Sequence, residues 1–120
     1  MTGPVHVDRS KLDDLRALDR PGHEGFLARI ATVFLDDADR RLEQMDRALE
    51  SSDPEAVVMA AHTLKGSCSY LGAVRLAELC RAFEERADKG NLEAGTEAAE
   101  EIRRELATVK AVLTEEMNKK

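Results

Sequence analysis

Large aromatic side chains are nearly missing from this sequence: tryptophan is absent, and all aromatics together make up 3% of the residues. Charged residues make up 35%, and Ala, Leu, Glu and Arg recur throughout. These are strong helix formers, so the mixture points to an all-α protein. Cysteine is also scarce. Cys68 and Cys80 form no Cys-x-x-Cys pair, which fits two free thiols in a reducing compartment and a cytoplasmic location. No apolar run approaches the ~18 residues of a membrane span, and the N-terminus lacks the apolar stretch of a signal peptide. Positive charge never gathers into a block beyond the Lys119-Lys120 pair, and the net charge is −6. Nucleic acid is thereby excluded as an expected partner, because phosphate binding needs clustered cations. The 120 residues are enough for one domain that buries a core without metal or disulfide staples.

What is present is helical periodicity. Residues 1–7, with Pro4, read as a loose tail. A short helix over about 10–19 is predicted from Leu12, Leu15 and Leu18, with Ser10 and Asp13 at capping-box spacing. Pro21-Gly22 then breaks the chain. Phe26, Ile30, Phe34, Ala38, Leu42, Met45 and Leu49 recur at steps of three and four, predicting a long helix over about 24–51. Asp53-Pro54-Glu55 is a strong helix start, since Asp caps free N–H groups and Pro suits the first position. The helix it opens, 54–71, has the stripe Val57, Ala61, Leu64, Cys68 and Leu71. Gly72 marks a turn. A fourth helix over about 73–89 carries Leu76, Cys80, Phe83 and Ala87, and Gly90-Asn91 stops it. The last, about 92–117, carries Ala99, Ile102, Leu106, Val109 and Leu113. Four long amphipathic helices with short connections imply an antiparallel up-down four-helix bundle, with the short first helix covering one end. There is no internal repeat and no low-complexity segment.

The chemistry sits in Ala60-Ala61-His62-Thr63-Leu64-Lys65-Gly66-Ser67. At roughly 100° per residue, His62 lies about 140° from the core stripe, so burial does not explain it. Lys65 and Ser69 share its side of the helix. Gly66 is costly in a helix interior, by roughly 1 kcal/mol relative to Ala. Its compensation is access: without a side chain at i+4, another protein can approach the imidazole. Lys65 supplies a cation one turn away, suited to a transferring phosphoryl group. Imidazole, largely neutral near pH 7 when exposed, is a competent nucleophile whose phosphoramidate passes the group onward. Val58 and Met59 flank His62 off the core stripe and are candidates for an apolar docking patch, with Ser69 as a further partner-binding candidate. Cys68 and Cys80 fall on apolar stripes and read as core; His6 and His23 fall in a tail and a loop and are given no role.

His62-Thr63-Leu64-Lys65-Gly66-Ser67, followed by Leu71-Gly72, resembles the active-site signature of histidine-containing phosphotransfer (HPt) domains of bacterial phosphorelays, and the helix order matches over nearly the whole chain. The resemblance implies a single HPt domain over 1–120 and a phosphocarrier with no ATP site of its own. It makes His62 the phospho-acceptor, gives Lys65 the phosphoryl group to stabilise, and has Gly66 clear the docking surface. Glu84, 22 residues beyond His62, would return beside it on the antiparallel fourth helix and hydrogen-bond the ring. Partners would be response-regulator receiver domains and a histidine or hybrid kinase, with no cofactor beyond the Mg²⁺ of the receiver, and the chain is expected to be a monomer. Two alternatives share the bundle: the phospho-acceptor domain of a chemotaxis-type kinase, and a purely structural helical adaptor, which leaves the His-Lys-Gly cluster unexplained. A carboxylate-type metal bundle would need inward Glu-x-x-His pairs. No helix here has one, so no metal ligands are assigned.

Overall fold

The computed structural model describes residues 5–119. Five helices follow one another: α1 (Arg9–Arg16), α2 (Phe26–Glu50), α3 (Pro54–Leu71), α4 (Val74–Asp88) and α5 (Gly95–Met117). Among the described residues there is no β-strand, only an isolated bridge between Arg20 and His23. Helix α2 packs on α3 and α5, and α4 packs on the same two, so the four long helices close a bundle; α1 lies across α2 and α3. Phe83, Met45, Leu64, Leu76, Ile102 and Leu113 fill the core, each burial stabilising by roughly 1.5–3 kcal/mol.

The stripes read for α3, α4 and α5 are the buried faces. The start of α3 is also as expected: Asp53 accepts a hydrogen bond from the Ala56 N–H at 3.2 Å, with Pro54 at the first position. At its other end Gly72 adopts a left-handed conformation (φ 68°), and the N–H groups of Gly72 and Ala73 return to the Cys68 carbonyl. That is the hydrogen-bond economy of a glycine-terminated helix. The resulting sharp reversal lays α4 back along α3.

Several expectations need correction. Helix α1 ends at Arg16 rather than near residue 19, because Asp19 is drawn away to cap the next helix. Its carboxylate accepts from the N–H groups of Gly25 (3.2 Å) and Phe26 (3.1 Å). Leu18, read as part of the stripe, is therefore exposed. The cap of α1 is Asp8, which accepts from the Ser10 N–H and hydroxyl, rather than Ser10 itself. Helix α2 begins at Phe26 rather than 24 because Gly25 stands in the left-handed region. Its buried face in the first turns is Leu27, Ala31 and Phe34, so Phe26 and Ile30 are only partly covered. Together with Leu15, Val33 and Tyr70 they line a surface groove of about 620 Å³. Helix α5 begins at Gly95 rather than 92: Asn91 accepts from the Glu93 N–H, and Gly95 N–H closes a turn onto Leu92.

The largest correction concerns the tail. Residues 1–4 lie outside the described residues, and Val5 is exposed, but His6 and Val7 are not loose. Val7 is buried, the Asp8 N–H donates to the Gly72 carbonyl at 2.7 Å, and His6 Nδ1 stands 2.7 Å from the buried Glu105. A second buried acid, Glu116, receives Arg9 (2.7 Å), Arg16 (2.8 Å) and Lys119 (2.7 Å). Two arginines from the N-terminal helix thus converge on the end of α5. A buried carboxylate without such partners would be strongly unfavourable. With them, Lys119 first, then Arg16 and Arg9 against the opposing effect of burial, the Glu116 carboxyl is held at about 2.

The sign of the linkage follows. A carboxyl depressed in the folded state contributes its stability fully above the unfolded value of 4.5 and loses it as pH falls from there toward about 2. Thermal melts should show stability decreasing through that acid window, and Glu116→Gln should remove most of this decrease while lowering stability at neutral pH. An identical acid profile in the variant would assign the acid sensitivity to other carboxylates.

Candidate functional site

His62 lies in the third turn of α3 on the face turned away from the core, with its side chain 66% exposed. Leu64, Ala61 and Cys68 on the opposite face are fully buried, so α3 cannot rotate to hide the imidazole without exposing them. The reversal at Gly72 brings Glu84 of α4 to the same level. Its Oε2 stands 3.0 Å from His62 Nδ1, and its Oε1 accepts from Lys65 Nζ at 2.8 Å. Glu84 is 19% exposed and Lys65 31%, so the pair is partly shielded while the ring is open.

This geometry sets the tautomer. Partial burial alone pushes the Glu84 carboxyl up, but hydrogen bonds from Lys65 and His62 outweigh it and hold the carboxyl below its ordinary value. An ionised carboxylate can only accept. Nδ1 must therefore carry the hydrogen, which leaves the Nε2 lone pair of the neutral ring available. Among the described contacts Nε2 has no hydrogen-bond partner.

The surroundings of Nε2 are open. A Cβ at Gly66 would meet nothing within 4 Å, and Gly66 has ordinary helical geometry, so neither crowding nor a special turn explains the glycine. Met59 is 70% exposed. Val58 differs: it is half-buried and packs against the core, leaving it little surface to offer a partner. Ser69 is exposed on the His62 side, but its hydroxyl donates to the Gly66 carbonyl at 2.7 Å, as that of Ser67 does to Thr63. Cys68 and Cys80 are buried free thiols, with Cys80 pushed up to about 12 by burial; neither is a nucleophile here. Among the described residues no group of three His, Cys, Asp or Glu stands ready for a metal ion.

Sequence reasoning placed His62 and Glu84 together but missed that Lys65 also reaches Glu84. The signal was there: residues 62 and 65 are one turn apart, and 84 falls opposite both in a hairpin turning at 72–73. It also missed the His6–Glu105 pair. No local pattern announces a contact between residues 99 apart.

A four-helix bundle whose open face presents one imidazole, oriented by a carboxylate and flanked by a lysine, is an arrangement suited to a phosphocarrier. The comparisons agree. The Hpt domain model matches residues 29–112. Histidine-containing phosphotransfer protein 5 of Arabidopsis thaliana is 30% identical over 112 residues, covering 91% of this chain and 71% of the relative. The crystal structure of histidine-containing phosphotransfer protein B (HptB) from Pseudomonas aeruginosa PAO1 superposes with a TM-score of 0.84 at 30% identity, covering 96% of each chain. That of ZmHP2 from maize gives 0.76 at 29% identity, covering 88% of this chain and 84% of the other. The chain belongs to the Hpt domain family. It is a histidine phosphotransfer intermediate of two-component signalling.

The role of Gly66 is directly testable. Gly66→Ala should stabilise the bundle by up to about 1 kcal/mol, because Ala is the better helix former and the space is empty. Gly66→Gln should leave helical content intact yet slow phosphotransfer strongly, if the open space one turn beyond His62 is the way a partner approaches. Melts and transfer kinetics on the same samples check both; parental transfer by Gly66→Gln would remove the access argument.

Proposed function

We propose that His62 is the phospho-acceptor, taking a phosphoryl group at Nε2 from the phosphoaspartate of a receiver domain, or from a histidine kinase, and returning it to a response-regulator aspartate. The observation that carries this reading is the His62 Nδ1–Glu84 contact at 3.0 Å, which engages Nδ1 and leaves Nε2 free on a largely exposed ring. In the transfer the Nε2 lone pair forms the N–P bond while the P–O bond to the aspartate breaks, its electrons leaving on the carboxylate. Nδ1 keeps its proton throughout, so the phosphorylated ring is cationic and faces the Glu84 carboxylate. Lys65 neutralises charge on the phosphoryl oxygens. Mg²⁺ is supplied from the acidic site of the receiver, and this chain supplies positioning.

The receiver would dock over Met59 and Gly66, with the neighbouring groove of Phe26, Ile30, Val33 and Tyr70 as apolar surface. Exposed apolar patches with polar rims are commonly interaction sites. We assign Val58 a supporting place beneath this patch and Ser69 a place at its edge. The protein would act in the cytoplasm as a monomer, without an ATP site of its own. No described helix is long and apolar enough to cross a membrane.

Incubation with a phosphorylated receiver domain should yield an acid-labile, alkali-stable label that is absent from His62→Gln. ATP alone should label nothing. An acid-stable phosphoester, label persisting in His62→Gln, or labelling of the pure protein by ATP would overturn the assignment.

A further inference from the structure

One carboxylate here serves two partners, and the two cannot keep their arrangement once a phosphoryl group arrives. In the unphosphorylated protein Glu84 is shared: Oε1 takes Lys65 at 2.8 Å and Oε2 takes His62 Nδ1 at 3.0 Å. One anion thus faces one cation and a neutral ring. Phosphorylation at Nε2 makes the ring cationic and adds about −1.5 to −2 of charge on three strong acceptor oxygens. If Lys65 stayed on Glu84, that carboxylate would face two cations and the phosphoryl group none. If Lys65 moves, each anion has one cation. Lys65 sits at i+3 from His62 on the same face, where side chains of one helix are neighbours. Its ammonium is a mobile point charge with three donors, suited to changing partners.

We propose that Lys65 exchanges partners during the phosphorylation cycle, resting on Glu84 when His62 is free and moving to the phosphoryl oxygens when it is loaded, so that Glu84 faces the Nδ1–H alone only in the loaded state. This rests on the reading of His62 as acceptor and adds a role for the Lys65–Glu84 pair.

The consequence is chemical. Relieved of its cation, Glu84 holds the Nδ1 proton more firmly and keeps the loaded ring cationic. Delivery then breaks the N–P bond, returns its electron pair to Nε2, and releases a neutral ring still protonated at Nδ1, with no proton transferred. The other nearby charges do not interfere: Arg81 and Glu85 on α4 pair with each other at 2.8 Å, and the Cys80 thiol is uncharged.

The test needs no relay partner. The 120-residue chain is phosphorylated with phosphoramidate, whose P–N bond breaks with release of ammonia, and Nδ1 is followed by ¹⁵N NMR before and after loading. Glu84→Gln keeps an acceptor oxygen and removes the charge. The change it causes in the Nδ1 signal should be small in the free protein and clearly larger in the loaded one. In a Lys65→Gln background the change should grow in the free protein, where Lys65 otherwise rests on Glu84, and stay as it was in the loaded protein, which Lys65 has already left. Glu84→Gln should also lengthen the life of the phosphohistidine and slow delivery to a receiver by about tenfold, as expected when a charge-assisted hydrogen bond becomes a neutral one. Circular dichroism shows whether each variant retains its helices. If Lys65→Gln altered the effect of Glu84→Gln as much in the loaded protein as in the free one, Lys65 would never leave Glu84 and the exchange would be overturned. Failure of the loaded protein to pass its phosphoryl group to any receiver would instead count against the relay reading and leave the exchange standing.

Discussion

The turn at Gly72 is the constraint on which both the site and the N-terminal packing depend. Its left-handed backbone ends α3, reverses the chain, and thereby sets the register between α3 and α4. That register places one carboxylate of α4 opposite two side chains of α3. A shift of α4 by one residue would rotate Glu84 by roughly 100° away from His62 and Lys65. The same glycine is buried, and its carbonyl receives the Asp8 N–H; a Cβ there would meet the Asp8 carbonyl oxygen at 2.8 Å. One residue therefore closes the hairpin that carries the chemistry and seats the segment that leads into α1.

Three glutamates, buried or partly so, recur in this small bundle with different duties. Glu116 is enclosed by Arg9, Arg16 and Lys119 and fastens α1 to the end of α5. Glu105 meets His6. Glu84 is the one shared between an exposed imidazole and a lysine at the edge of solvent. The difference is in what surrounds each acid. Several guanidinium and ammonium groups around Glu116 make a fastening, whereas Glu84 has one lysine and one imidazole at an open surface. The adjoining surface is organised to leave that centre open: no side chain at Gly66, serine hydroxyls turned back onto the helix, and apolar groups such as Met59 and Tyr70 left uncovered.

Much of this was legible in the linear pattern. The stripes of α3, α4 and α5 have regular three- and four-residue spacing, and a helix with one apolar stripe can bury only that face. His62 then had to lie outward, and Gly66 stood out because nothing structural needs it. The stripe of α2 misled at its start. Phe26 and Ile30 continue the apolar rhythm, yet small Ala31 and Leu27 take the core face there, and the larger side chains line a groove beside α1. Hydrophobicity alone does not distinguish a residue packed inside from one packed at a surface groove.

The sequence by itself determined that the chain is a helical bundle with His62 held outside its core, because local periodicity and capping act within a few residues of each position. It could not determine the anchoring of His6, Arg9 and Arg16 on α5, nor the sharing of Glu84 between His62 and Lys65. Those contacts join residues far apart in the chain, and they exist only because the folded helices bring opposite charges together where water is partly excluded. Which cation a carboxylate meets is decided by register and packing, and these are properties of the tertiary structure.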